Sequence, residues 1–217
     1  GRAAKVLSHY SSKEAHTIHK RIYRERSIAD YEARFSLDFN KERGAIFIVD
    51  EASMLSANAS EGATFGSGNL LEDLVTYVRS GKECRLMLVG DDAQLPPVGD
   101  DYSPALQPSE LLPYGDVEYA TMDEVVRQSQ DSGILFNATM LRCMLENNIY
   151  EIPHFNLTSK DFRQVQGGEL LEELQDCYDS FGRDETIVIT RSNKRANRYN
   201  EGIRRHNLSA EEEIESG

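Results

Sequence analysis

The chain has 217 residues, a formal net charge of −13 and 28% charged residues, enough length for one large or two modest domains with a real core. No apolar run is long enough to span a membrane, and no signal peptide is visible. Cys84, Cys143 and Cys177 are unevenly spaced and form no C-x-x-C pair, which argues against a structural zinc site or disulfide framework and fits a reducing, cytoplasmic setting.

In chain order, Arg2 to Tyr10 reads as a helix stopped by Ser11-Ser12, and residues 14–23 as a second, with Ile18 and Ile22 four apart. Tyr31, Ala33, Phe35, Leu37 and Phe39 alternate with polar residues, the pattern of a half-buried strand. Their aromatics are expected to share a small local core; the alternative is a pin or wedge facing a strand junction. Ala45 to Val49 is an unbroken apolar run and reads as a strand buried on both faces of a parallel sheet. A Gly/Ser/Asn-rich loop over 56–69 comes next, then a helix from Asn69, its cap, to Ser80, with Gly81 as its stop. Residues 85–89 form a second buried strand, 99–116 a loop and 117–121 a short strand. A helix runs from Ser132 to about Asn147. Residues 162–165 form a strand, 169–181 a helix and 186–190 a buried strand, and Ser192 caps a final basic helix. Strands alternating with helices imply an α/β fold with a largely parallel sheet. "RQSQDSG" breaks the pattern and marks a domain junction near 128–132.

The first buried run ends in "IFIVDEASML", which sets Asp50 and Glu51 at the carboxyl end of a strand. A single Asp there would be a charged strand end. An Asp-Glu pair followed by small Ala52-Ser53 points to function, because open parallel sheets bind ligands at that edge. One carboxylate can orient hydrated magnesium while its neighbour positions or deprotonates an attacking water. Such a site also needs a phosphate loop, G-x-x-x-x-G-K-[ST]. The one Gly-Lys pair here, Gly81-Lys82, is followed by Glu83. Because the chain opens on Gly1-Arg2 in mid-pattern, it is expected to be a piece of a longer protein, with that loop upstream. The second run ends in "LVGDDAQLPPVG", placing Asp91 at a strand end and Gln94 three residues on. An amide can donate to a phosphate or accept from a water, and Pro96-Pro97 stiffens the backbone just beyond it. Two such strand ends would open onto one crevice.

The acid excess argues at first against a nucleic-acid partner. However, residues 1–43 carry ten Lys/Arg against six Asp/Glu, and residues 191–206 carry six against Glu201 alone. Local charge decides phosphate contacts. On charge alone, a solvated helix face and a channel gripping a nucleic-acid backbone stand level.

"VDEASML", "GDDAQLPPVG" and "VVRQS", in that order, resemble motifs II, III and IV of superfamily 1 helicases. The likeness is to the RecD/Dda-like (exodeoxyribonuclease V alpha-subunit-like) branch, whose members translocate 5′ to 3′ on single-stranded DNA. "GRAAKVLS" and "AHTIHK" resemble that branch's motif Ia region and T-[IL]-H element. "ITRSNKRANRYN" resembles a T-x-x-N-x-x-x-x-x-x-N element early in its second motor domain. The resemblance implies an α/β architecture of RecA-like P-loop NTPase motor domains with largely parallel sheets, incomplete here. Residues 1–128 would be the C-terminal part of the first motor domain, with a small insertion near 24–44, and residues 129–217 the start of the second.

It further implies an ATP-dependent DNA helicase that couples hydrolysis to strand separation in recombination or repair. ATP and Mg2+ would be its cofactors. Single-stranded DNA would be its partner, alongside other subunits of such a complex. Asp50 would hold Mg2+ through water and Glu51 would activate the hydrolytic water. Gln94 would sense the γ-phosphate, and Arg127 would be an arginine finger. Arg2, Thr17, His19, Pro96, Asn193 and Asn200 would face DNA. The chain departs from the pattern in lacking the motif I lysine and threonine and motifs V and VI, so alone it is expected to be inactive. The alternatives are a catalytically dead nucleic-acid-binding scaffold, which would need none of Asp50, Glu51, Gln94 and Arg127, or the helicase subunit of an ATP-dependent exonuclease or relaxase.

Overall fold

The computed structural model describes residues 2–26, 34–58, 64–122, 124–125 and 131–206, and the chain divides into two compact units, 1–124 and 125–217. In the first unit, α1 (Arg2–Ser11) precedes α2 (Ile18–Ile22). The Thr17 hydroxyl accepts the Lys20 N–H at 3.4 Å and so starts α2. The helix expected over 14–23 is confined to these five residues. Its last turn yields to Tyr23, whose backbone enters an antiparallel hairpin of β1 (Tyr23–Arg26) and β2 (Arg34–Leu37), with Tyr23 opposite Leu37. Of the alternating stretch, Tyr31 and Ala33 lie outside the described residues. Phe35 stacks on Phe65, centroids 4.5 Å apart. Phe39, expected to join that core, is 62% exposed, because the chain has already left the hairpin at Leu37.

The centre of the unit is a β-α-β arrangement of β3 (Ile46–Val49), α3 (Leu70–Ser80) and β4 (Arg85–Leu88). β3 and β4 pair in parallel, Ile46 beside Arg85 and Val49 beside Leu88, as a helical crossover between strands allows. The Asn69 side chain caps α3 by accepting the Glu72 N–H at 3.0 Å. Leu71, Leu74, Val75, Tyr77 and Val78 bury one face of the helix, and Phe47, Val49, Leu86 and Leu88 pack into the same core. Strand side chains alternate between faces, and among the described residues α3 covers one. The expectation of strands buried on both faces therefore fails: Ile46 and Ile48 are 60% and 62% exposed, and Met87 lies open as well.

Gly81 does end α3, but not through a left-handed turn, since its φ is −82°. It is small because Asn40 lies where a Cβ would stand. The buried Asn40 amide donates to the Val78 carbonyl at 3.1 Å and satisfies a helix-end acceptor. Residues 99–116, expected to be irregular, hold short helical pieces: 3-10 turns at Pro104–Leu106 and Leu112–Tyr114, with α4 (Pro108–Leu111) between them. Each begins with a proline in its first turn, and none is long enough to show a helical period. Residues 117–121 are not a strand.

The described part of the second unit is helical: α5 (Gly133–Glu146), α6 (Leu170–Phe181) and α7 (Asn193–His206). Ser132 caps α5, accepting the Leu135 N–H at 3.2 Å. Ser192 caps α7, accepting the Arg195 N–H at 3.3 Å. Asn137, buried in α5, exchanges two hydrogen bonds with the backbone of Asn156, at 3.0 and 2.8 Å, and so ties the loop after α5 to the helix. The strands expected at 162–165 and 186–190 do not form, and Ile187 and Ile189 are exposed. No strand among the described residues of this unit offers them a ladder, and an apolar run without one has nothing to pair with.

Candidate nucleotide site at the strand ends

Because β3 and β4 run the same way, their carboxyl ends lie side by side. The pairing continues past both strands: the Val89 N–H donates to the Val49 carbonyl at 2.8 Å, and the Ala52 N–H to the Val89 carbonyl at 2.9 Å. Between those bonds the chain must turn sharply. Glu51 takes the turn in the left-handed region, at φ 56° and ψ 41°, which costs a non-glycine residue about 1 kcal/mol or more. The Asp50 carboxylate steadies it by accepting the Glu51 N–H at 3.0 Å. Both acids are exposed, and the chain then dives into the core through fully buried Ala52 and Ser53.

Gly90 makes the close approach possible. A Cβ there would stand 3.0 Å from the Ser53 nitrogen and 3.1 Å from Leu106 Cδ1. Past it, Asp91 accepts the Ala93 N–H on its carboxylate at 3.0 Å and the Gln94 N–H on its carbonyl at 3.1 Å. This tight turn presents Gln94 to solvent. Pro96 is half-buried and Pro97 buried beneath exposed Leu95 and Val98. The Asn58 amide donates to the Asp100 carboxylate, linking the loop after β3 to the loop after β4. Ser53 Oγ, Ser103 Oγ and Asp100 Oδ2 are buried without a hydrogen-bond partner.

The structure thus gathers Asp50, Glu51, Gln94 and Pro96 on two loops held together by backbone bonds. Magnesium takes one or two carboxylates, several waters and substrate phosphates rather than a full protein cage, and the exposed Asp50–Glu51 pair fits that donor set. Among the described residues no cluster of three His, Cys, Asp or Glu offers a tighter metal site.

The other sequence candidates stand apart. Arg127 lies outside the described residues, as does the side chain of Arg2. The Thr17 hydroxyl is occupied in capping α2. His19 packs its ring edge-on to Phe65 at 4.9 Å and tilted to Tyr23 at 5.6 Å. Asn193 and Asn200, exposed on α7 in the second unit, share a face seven residues apart. Gly90 and Asn58 were missed. A glycine closing an apolar strand signals close backbone approach; Asn58, inside a low-complexity loop, gives no such signal.

The carboxyl ends of β3 and β4 thus carry an exposed carboxylate pair, Asp50–Glu51, and an exposed amide, Gln94. A family model described as an AAA domain matches residues 1–142, and the chain belongs to that family. Its fold is accordingly the RecA-like α/β fold of P-loop NTPases, a nucleotide-binding class. No curated protein and no solved structure matches the chain. No helix of the described residues is long and apolar enough to cross a membrane.

Proposed function

We propose that the chain carries motor elements of an ATP-dependent superfamily 1 DNA helicase of the RecD/Dda-like branch, moving 5′ to 3′ on single-stranded DNA in recombination or repair. The observation that carries this reading is the Ala52–Val89 bond, which couples the Asp50–Glu51 turn to the loop bearing Gln94. A shift at the phosphates would reach both loops together.

In this reading Asp50 holds hydrated magnesium, Glu51 accepts the proton of the attacking water, and the Gln94 amide contacts the γ-phosphate. Magnesium, when bound, neutralises phosphate charge during transfer. Arg127 supplies a cation to the transferring group. Arg2, Thr17, His19, Pro96, Asn193 and Asn200 contact DNA, the last two from basic α7. The same motor would serve a stand-alone helicase, an exonuclease subunit or a relaxase.

The test is steady-state ATP hydrolysis by the intact gene product with and without single-stranded DNA. The reading expects hydrolysis stimulated at least tenfold by DNA. No hydrolysis under either condition would replace it with a nucleic-acid-binding scaffold.

A further inference from the structure

At the other end of β3 and β4 lies an open groove of about 340 Å3, lined in part by His16, Lys20, Arg21, Phe39, Lys41 and Tyr77. Phe39 and Lys41 belong to the segment leading into β3, and Tyr77 lies in the C-terminal half of α3. A four-residue strand spans about 13 Å, so this groove is separate from the crevice at Asp50 and Gln94.

Two independent observations point to a ligand. Tyr77 is 4% exposed, and its hydroxyl, which opens onto the groove, has no hydrogen-bond partner among the described residues, so it is free to donate to an arriving ligand. Burial pushes its phenol up, against the pull of nearby Arg21, so it is a donor at neutral pH. The second observation is how the charges are matched. Glu42 is held by Arg21 at 2.7 Å and Asp38 by Arg24 at 3.5 Å, while Lys20 and Lys41 have no acid partner among the described residues. The groove's acids are thus already answered and two ammonium groups are left over. The Phe39 ring, 62% exposed, adds a free aromatic face. Cations to track a backbone plus an aromatic face for a base are the means by which single strands are bound without sequence preference.

We propose that this groove is a further contact for single-stranded nucleic acid, one that continues from Thr17 and His19 at the start of α2 through Lys20 to Phe39, Lys41 and Tyr77. Lys20 and Lys41 face backbone phosphates, the Tyr77 hydroxyl donates to a phosphate oxygen, and a base stacks on Phe39. This rests on the translocase reading, since it supplies the same partner with a longer track.

The experiment titrates fluorescein-labelled oligothymidylate with the intact gene product over a range of salt. The Lys20→Ala/Lys41→Ala double variant is expected to bind about tenfold more weakly, with a log–log salt slope shallower by about 1.4, or about 0.7 per phosphate contact on single strands. Phe39→Ala is expected to lose about tenfold through the missing stack. Tyr77→Phe, which keeps the ring edge-on to Phe47 at 5.9 Å, should weaken binding several-fold without lowering the melting temperature. Wild-type affinity and slope in all three variants would overturn the groove alone. A wild-type protein that binds no oligonucleotide would overturn the groove and the translocase reading together. Inorganic phosphate displacing the oligonucleotide at millimolar or lower concentration, only where the groove is intact, would make it a free-phosphate site and overturn the nucleic-acid assignment.

Discussion

Gly90 and Asp161 are single residues whose surroundings determine what a substitution would do. At Gly90 an added Cβ meets the Ser53 backbone at 3.0 Å. That backbone has little room to retreat, because neighbouring Ala52 is bonded to the Val89 carbonyl. Gly90→Ala is therefore expected to slow hydrolysis at least tenfold while costing about 1–3 kcal/mol of stability; kcat and the urea midpoint, measured together, check it. Asp161 accepts hydrogen bonds from the Ser132 hydroxyl at 2.6 Å and the Gly133 N–H at 2.9 Å. The Ser132 hydroxyl first, then the Gly133 N–H, hold its carboxyl down at about 2, against 3.8 for the free side chain. Its folded value lies below its unfolded one, so its contribution is complete above about pH 4 and is lost as pH falls through 2. Asp161→Asn should flatten the pH dependence of stability in that window, as read by urea midpoints between pH 2 and 5. An unchanged profile would show the carboxylate to be dispensable.

Among the elements, the hairpin and α3 are clasped by one buried acid. The Tyr23 hydroxyl donates to Asp73 at 2.7 Å and the Ser67 N–H to the same oxygen at 3.0 Å. Burial and that carboxylate push the Tyr23 phenol upward. Gly66, at φ 48°, lies so near that any Cβ would overlap Asp73 and Tyr23. Tyr23→Phe takes a donor from a buried carboxylate and is expected to cost about 1–3 kcal/mol. Gly66→Ala should cost at least as much, through both its backbone and the overlap. Melting curves of the two variants test the clasp.

None of this clasp was legible in the sequence, because it joins residues fifty positions apart. Helices α1, α3, α5, α6 and α7 were legible, since a helix closes its hydrogen bonds within its own segment and its caps, Asn69, Ser132 and Ser192, are adjacent. Strands were legible only where a partner exists. The run 186–190 is as apolar as many strands, but no partner strand among the described residues of its unit pairs with it. The carboxylate pair could be read at once from its place after β3. The Glu51 turn could not, because it arises from pairing two distant segments, whereas Gly90, which closes an apolar run, carried a readable signal of close backbone approach.

At the scale of the whole molecule, an acidic chain carries its basic residues in patches: the region around α2 and the segment leading to β3 in the first unit, and α7 in the second. The net charge of −13 therefore says little about its partner, whereas the AAA-domain family places the chain in a nucleotide-binding class. The central claim is that the Asp50–Glu51 turn drives DNA-stimulated ATP hydrolysis. Single-turnover hydrolysis by the intact gene product with saturating single-stranded DNA, wild type beside Glu51→Gln, tests it most directly. The predicted result is a fall of about a thousandfold or more in the variant with ATP binding retained, the signature of a lost general base rather than a lost site. A Glu51→Gln protein that hydrolyses ATP at the wild-type rate would contradict it.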